Sequence, residues 1–305
     1  MVDSETVSSP ASLDQRRMTA WSIYIVDKLM STSLSRPPAI EDSNYRMRLP
    51  DSDATSSCTE TDLSTLQRCL GADSVLTLSM GPTTLAILSC SILGNCTKYI
   101  SSSALPSMSA PWHCKSEFIV TNSNLYQLES LLQAEAKRFA SVGASLSELP
   151  PSLDAAQYVF AQAIFHLCHC LHNHPFIMRI MMQKVKSKPP MSFIARSILA
   201  AEDHARSLTD LLTSRVDHFV VPNSSYFTYC LAIACGIHSL FSNAEHVDGR
   251  PGNEGDAHDY FRRSMAALHN LSQLWPMGLN MVSSPKARRD NSVIDETMSA
   301  ACKID

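Results

Sequence analysis

Apolar residues recur at spacings of three and four along nearly the whole chain, and strand-like alternation is scarce. In the first such stretch Met18, Trp21, Ile25 and Leu29 form one stripe, with Ser12 placed to cap the helix N-terminus. The spacing predicts a helix from Ser12 to Leu34. Arg36-Pro37-Pro38 ends it, because a residue before proline avoids helical angles. An extended piece, Ala39 to Pro50, and a Ser/Asp/Thr-rich loop follow. The same periodicity predicts helices over Asp62 to Leu70, Pro82 to Tyr99, Asn124 to Ala140, Asp154 to Met182, Pro190 to Ser214, Ser224 to Ser242 and Ala257 to Leu274. Breaker-rich joints such as SSSALPSMSAP, SVGASLSELPP and DGRPGNEGD separate them. Glycine usage agrees with this reading. Only 9 of 305 residues are glycine, against an average of about 7%, which disfavours doubly wound sheets and glycine-rich barrels. No repeat of fixed period is visible, so a regular solenoid is not expected. The expected fold is all-α, an irregular multi-helix domain of about eight or nine helices. Residues 1–12 form a polar N-terminal segment, 13–280 the helical domain and 281–305 a polar tail.

With 45% hydrophobic residues the chain can fill a sizeable core. A formal charge of -4 is the wrong sign for a broad phosphate-gripping face. The ten cysteines contain no C-x-x-C pair and several lie in apolar stretches, so they read as reduced core thiols. MVDSETVSSPASLDQRR has no apolar run, so neither a leader peptide nor a leading anchor is expected there, and an intracellular location is. The uncharged stretch Ser74 to Thr97 is the best membrane candidate, but Gly81-Pro82 and its many hydroxyls favour a buried helix.

Three constellations carry chemistry. Asp27 lies on the apolar first helix, and a carboxylate drawn toward a core needs a cation or several donors. A structural pair with Arg36 would clamp the helix to its extended continuation; a solvent-facing Asp27 is the alternative. In His166-x-x-His169-x-x-His172-x-His174, Cys168 and Cys170 are interleaved. His166 with Cys170, and Cys168 with His172, stand four apart, a spacing that zinc can use. The two pairs point to different sides and nothing nearby completes a site, so packed thiols with partly exposed imidazoles are expected, and no metal. Glu202-Asp203-His204 and Asp256-Ala257-His258 place carboxylates beside histidines, but sequence neighbours on a helix do not face each other, so they are expected to be solvated. The short basic runs at Lys184 to Lys188 and Lys286 to Arg289 are expected to be loop charges. G-x-S-x-G, H-E-x-x-H, a phosphate-cradling loop and D-D-x-x-D are all missing, so no catalytic residue is assigned.

The segment Asp14 to Pro50 resembles the signature of the fungal-specific transcription factor domain, the regulatory middle region of fungal zinc-cluster (Zn2Cys6) regulators. Its matching residues are Arg16, Arg17, Trp21, Val26-Asp27, Ser31 or Ser33, Arg36-Pro37 and Leu49-Pro50, with Ser35 standing where the family often has glycine. Pro111-Trp112 with Ser116-Glu117-Phe118, then Phe165 to Phe176, then Ala267 to Pro276, follow in the family's order. The resemblance implies a nuclear, non-enzymatic regulator of RNA polymerase II transcription. It implies zinc and DNA contact through an N-terminal six-cysteine cluster that these residues lack, and hence an N-terminally truncated regulator. Transcription machinery, homologous regulators and a small-molecule effector are the implied partners, and no membrane. Two rival readings are a stand-alone helical interaction protein acting through partner regulators, and a metal-dependent helical enzyme using His166 to His174.

Overall fold

Pro82 opens a helix that is buried on almost every side. The computed structural model describes residues 10–45, 47, 49–50, 80–102, 109–141, 153–185, 187–214, 225–248 and 256–275. Within them lie eight α-helices and no strand: α1 (Pro10–Ser33), α2 (Pro82–Ser102), α3 (Glu117–Ser141), α4 (Leu153–His172), α5 (Pro175–Lys184), α6 (Met191–Ser214), α7 (Ser225–Asp248) and α8 (Asp256–Leu274). The all-α expectation is met. The helix expected over Asp62 to Leu70, the polar tail and the run Lys286 to Arg289 lie outside the described residues.

Helices α2 and α4 pack along each other at the centre. The outer layer on one side is α1 and α3 against α2; on the other, α6 and α7 lie on α4 and α8 covers both. Leu85, Leu88, Ile92 and Leu93 of α2 meet Ile164, Leu167 and Leu171 of α4 in a single core that also takes in Phe227, Leu231 and Ile237 of α7. Seryl hydroxyls within α2 are made tolerable by local bonds; that of Ser89 donates to the Leu85 carbonyl at 2.8 Å. This explains how Pro82 to Thr97, the described helical part of the uncharged stretch, can be core; Ser74 to Ser79 lie outside the described residues, and none of the described helices is long and apolar enough to cross a membrane.

Four expectations shift, each for a local reason. Helix α1 begins at Pro10, so Ser12 lies within its first turn rather than capping it; proline is favoured there because its missing N–H needs no partner. Its buried line also differs from the expected stripe: Trp21, Tyr24, Lys28, Ser31 and Thr32 face inward, while Met18 is 40% exposed. Helix α3 starts seven residues before Asn124, because the Ser116 hydroxyl accepts from the Ile119 amide at 3.2 Å and donates to the Pro111 carbonyl at 2.7 Å. The segment from Asp154 to Met182 is two helices, because Pro175 has no N–H for the Leu171 carbonyl; the His174 amide approaches that carbonyl instead, at 3.4 Å. The His174 ring then caps α5 by accepting from the Phe176 amide at 3.3 Å.

Ser35 terminates α1 in the left-handed region, at φ 52°. The Arg36 amide donates to the Ser31 carbonyl at 2.9 Å and the Ser35 amide to the Thr32 carbonyl at 3.1 Å, the paired bonds of a Schellman cap. Glycine suits that position because it has no Cβ to crowd the carbonyl. Ser35→Gly is therefore expected to stabilise the protein by about 1 kcal/mol, read as a rise in the urea midpoint.

Candidate functional site

Beyond the αL turn the chain doubles back along α1, and the return arm is held at three levels. Trp21, Tyr24 and Tyr45 form a ring cluster with centroid separations of 5.3, 4.8 and 5.1 Å. The Tyr45 hydroxyl donates to the Ala20 carbonyl at 2.6 Å. One turn on, the Asp27 carboxylate accepts from the amides of Ala39 at 3.1 Å and Ile40 at 2.9 Å. Asp27 does clamp helix to arm, but the expected Arg36 partner is wrong: that side chain is exposed, carried outward by the turn at Ser35, and backbone amides supply the donors. Arg17 pairs locally with Asp14 at 2.8 Å, Arg16 and Pro37 are exposed, and Pro38 is buried.

The third level is a buried cation. Lys28, 1% exposed, reaches the Ile40 carbonyl at 2.6 Å and the Asp42 carboxylate at 2.8 Å. Asp42 also accepts from the Tyr24 hydroxyl at 2.7 Å and from the Ser91 hydroxyl of α2 at 2.5 Å. Burial first, and Asp42 second, push the Tyr24 phenol far above its ordinary value, so it remains a donor. The ammonium lies 4.6 Å from the Tyr24 ring centre. Gly94 of α2 makes room for the lysine stem: a Cβ there would sit 2.8 Å from Lys28 Cδ. Lys98 with Glu41, and the Thr32 and Thr97 hydroxyls at 2.7 Å, extend the same joint between α1, the arm and α2.

A second polar group lines the seam between α4 and α6. His166 Nδ1 lies 2.9 Å from His204 Nδ1, and His169 stacks on His204 with centroids 3.7 Å apart and rings parallel within 1°. Burial pushes the His166 imidazole down to about 3 and His204 to about 4. The expectation of a solvated Glu202-Asp203-His204 group is overturned for two of its members: His204 is half-buried against His166, and Glu202 is ion-paired with Arg206 at 2.6 Å. Only Asp203 is exposed. Asp256 also pairs with Arg206, at 3.0 Å, while His258 is exposed as expected.

The four metal-spacing residues do not share one neighbour, although Cys168 and His172 both reach Cys96 of α2. His166 faces α6; His172 stacks on Phe118 of α3 at 3.9 Å and shares a 3.1 Å bond with its carbonyl; the Cys168 thiol is 3.9 Å from the Ser89 carbonyl of α2; Cys170 is core. Among the described residues no group of three His, Cys, Asp or Glu is arranged to hold a metal ion. The imidazoles expected to be partly exposed are largely inside, His169 at 4% and His172 at 1%, since α4 is covered by helices on several sides. The described cysteines do not fit a zinc cluster. Six of the seven are buried, and burial pushes Cys90, Cys168, Cys170, Cys230 and Cys235 above the ordinary thiol range; only Cys96 among the described thiols is drawn down, to about 6, by hydrogen bonds with Cys168 and His172, and one such thiol is no six-cysteine cluster. Trp112 packs edge-on to Phe193, 5.8 Å away, in a small cluster with Tyr99, Phe118, Met178 and Met181.

Trp21 and Asp27 of the signature thus belong to a structural joint that holds the arm on α1 and α2, while Arg16, Arg36 and Pro37 are exposed. The profile of the fungal specific transcription factor domain matches residues 2–200, which contain the whole joint. The chain belongs to this family. Members of this family are transcription regulators, and that coarse role applies here. No curated protein and no solved structure matches the chain. The matched span ends inside α6, so the likeness of Ala267 to Pro276 to the domain's last helix lies beyond it.

Sequence reading singled out Trp21, Asp27 and Trp112, placed His204 in solvent, and missed Lys28, Asp42 and Ser91. Lys28 had a signal: with Trp21 and Tyr24 it falls at spacings of three and four, on the buried face. Removing either carboxylate should expose the division of labour. Asp27→Ala is expected to cost about 2 kcal/mol, two charge-assisted bonds being lost, while Arg36→Ala stays within about 0.5 kcal/mol. Asp42→Ala, which strands a buried ammonium, is expected to cost about 3 kcal/mol or more. Urea denaturation of the three variants ranks them.

Proposed function

We propose that the chain is the regulatory domain of a fungal zinc-cluster-type transcription factor that controls RNA polymerase II genes in the nucleus, with DNA contacted through a zinc-cluster module not contained in these 305 residues. The observation that carries this reading is the joint itself. Two of the family's signature residues, Trp21 and Asp27, sit on the face of α1 against which the arm closes, beside the buried Lys28–Asp42 pair and inside the span that the family profile matches. The chain's own surface fits a protein-binding rather than a DNA-binding role, because the net charge of -4 does not favour phosphate contact. Family membership favours regulation over catalysis, since the family is one of transcription regulators.

A second reading, a partner-dependent regulator that does not itself bind DNA, is favoured by the outer face of α1. There Ile23, Val26, Met30 and Leu34 are about half exposed along one side of the helix. One assay separates the two. The chain is fused to an unrelated DNA-binding module and compared with the untethered chain on an RNA polymerase II reporter. Altered output from the fusion alone is expected. Output altered equally by the untethered chain supports the partner-dependent reading, and no effect of either defeats both. Within the regulatory reading, a small-molecule effector from the regulated pathway is expected to raise the melting temperature of the chain.

A further inference from the structure

The α4–α6 seam is built from three imidazoles where apolar side chains would pack without cost. His169 is the clearest case. Its ring is 4% exposed, yet neither nitrogen has a hydrogen-bond partner. A buried polar ring of this kind costs free energy at neutral pH, and neither catalysis nor metal binding accounts for it. Its ring instead stacks parallel to His204 at 3.7 Å and meets the Phe165 ring edge-on at 4.9 Å. His204 in turn shares a single proton with His166 across 2.9 Å. That distance admits one N–H between the two Nδ1 atoms; a second would set two N–H groups head to head. The stack has a similar restriction, because two parallel cations at 3.7 Å repel strongly in a site shielded from water.

We propose that His166, His169 and His204 make the α4–α6 seam a proton-sensitive joint, closed while the three rings are neutral and opened by acid, so that α6 separates from α4 before the α2–α4 core unfolds.

The charged and titratable groups around the joint do not offset this. On α4, His172 is the further ring that acts on His169. On α6, Asp203 is the carboxylate acting on His204 and is itself exposed, while Glu202 is engaged by Arg206. From α7, His238 is bonded to Thr209 of α6 at 3.0 Å, with Arg206, Asp210 and Arg263 acting on it. From α2, the thiols Cys90 and Cys96 act on Cys168, and Cys96 also on His172, none of them a ring of the joint. Burial is the leading cause in all three joint residues, holding His166 at about 3, His204 at about 4 and His169 well below the ordinary value. The sign follows: the closed state's values lie below the ordinary 6.5 or so, so the seam is fully stable above that pH and weakens as pH falls toward 4. If opening returns all three rings to ordinary behaviour, each adds about tenfold to the opening equilibrium between pH 7.5 and 5.5, or about a thousandfold together.

The experiment is hydrogen exchange on the whole chain at pH 7.5 and 5.5, corrected for intrinsic chemistry, alongside melting temperature as a function of pH. Residues 191–214 are expected to lose protection at pH 5.5 by two to three orders of magnitude, while residues 82–102 keep theirs. In H166L/H169F/H204F, which keeps rings at the stack and removes every titrating group, that loss is expected to disappear and the fall of melting temperature with acid to shrink by at least half. If the triple variant does not fold, H169F alone serves. It is expected to raise the melting temperature at pH 7.5 and to reduce the pH effect on 191–214 by about tenfold. The proposal is overturned if wild-type protection at 191–214 is the same at both pH values, or if it falls no more than that at 82–102. An undiminished pH effect in the folded variants, or its disappearance in H238Q instead, overturns it equally.

Discussion

A single buried ammonium sets the terms for the first half of the domain. Lys28 is taken almost wholly out of water, and the desolvation of an ammonium is tolerable only if its partners are fixed in place. Asp42 and the Ile40 carbonyl are those partners, and both belong to the arm beyond the αL turn. The arm therefore has to return along α1, and Asp27, which receives the Ala39 and Ile40 amides, fixes the register at which it does so. Ser91 ties Asp42 to α2. The lysine thus couples a helix, a loop and the central helix through one carboxylate, and Gly94 gives its stem a place to lie.

The second half depends on a different use of polar groups. Around Lys28 every charge is answered. Along α4 and α6 the rings are neutral, and their arrangement holds only while they remain so. The same helix α4 contributes Cys168 toward α2, His172 toward α3 and His166 toward α6, so its polar side chains are distributed among several packing surfaces. Helix α4 brings Cys168 and His172 to Cys96 of α2 but turns His166 to α6, and among the described residues no group of three is arranged to hold a metal ion.

Much of the fold was legible because helical period and breakers are local. Proline and glycine placed the starts of α2 and α6, and the scarcity of glycine pointed to helices. The misses in helix bounds came from nearby hydroxyl and proline groups that leave the apolar period unchanged. Ser116 starts α3 early through the Pro111 carbonyl, and Pro175 cuts one apolar stretch into α4 and α5 without changing its hydrophobic pattern. For Asp27, the need for donors was readable from a carboxylate on an apolar helix, yet their identity depended on which way the Ser35 turn sent the arm. A guanidinium nine residues on looked the better partner, and two amides twelve and thirteen residues on were nearer.

By itself, then, the sequence determined an all-helical chain, the span of most of its helices, and membership of a regulatory family whose signature lies at Asp14 to Pro50. These follow from backbone propensity, apolar period and short motifs, all of which act within a few residues. Only the tertiary structure decided that Lys28 rather than Leu29 faces inward, that Asp42 and Ser91 complete its shell, and that His204 meets His166 across 38 positions. Those outcomes depend on which helices pack together, and the cost of burying a charge or an imidazole is set by neighbours that sequence spacing does not specify.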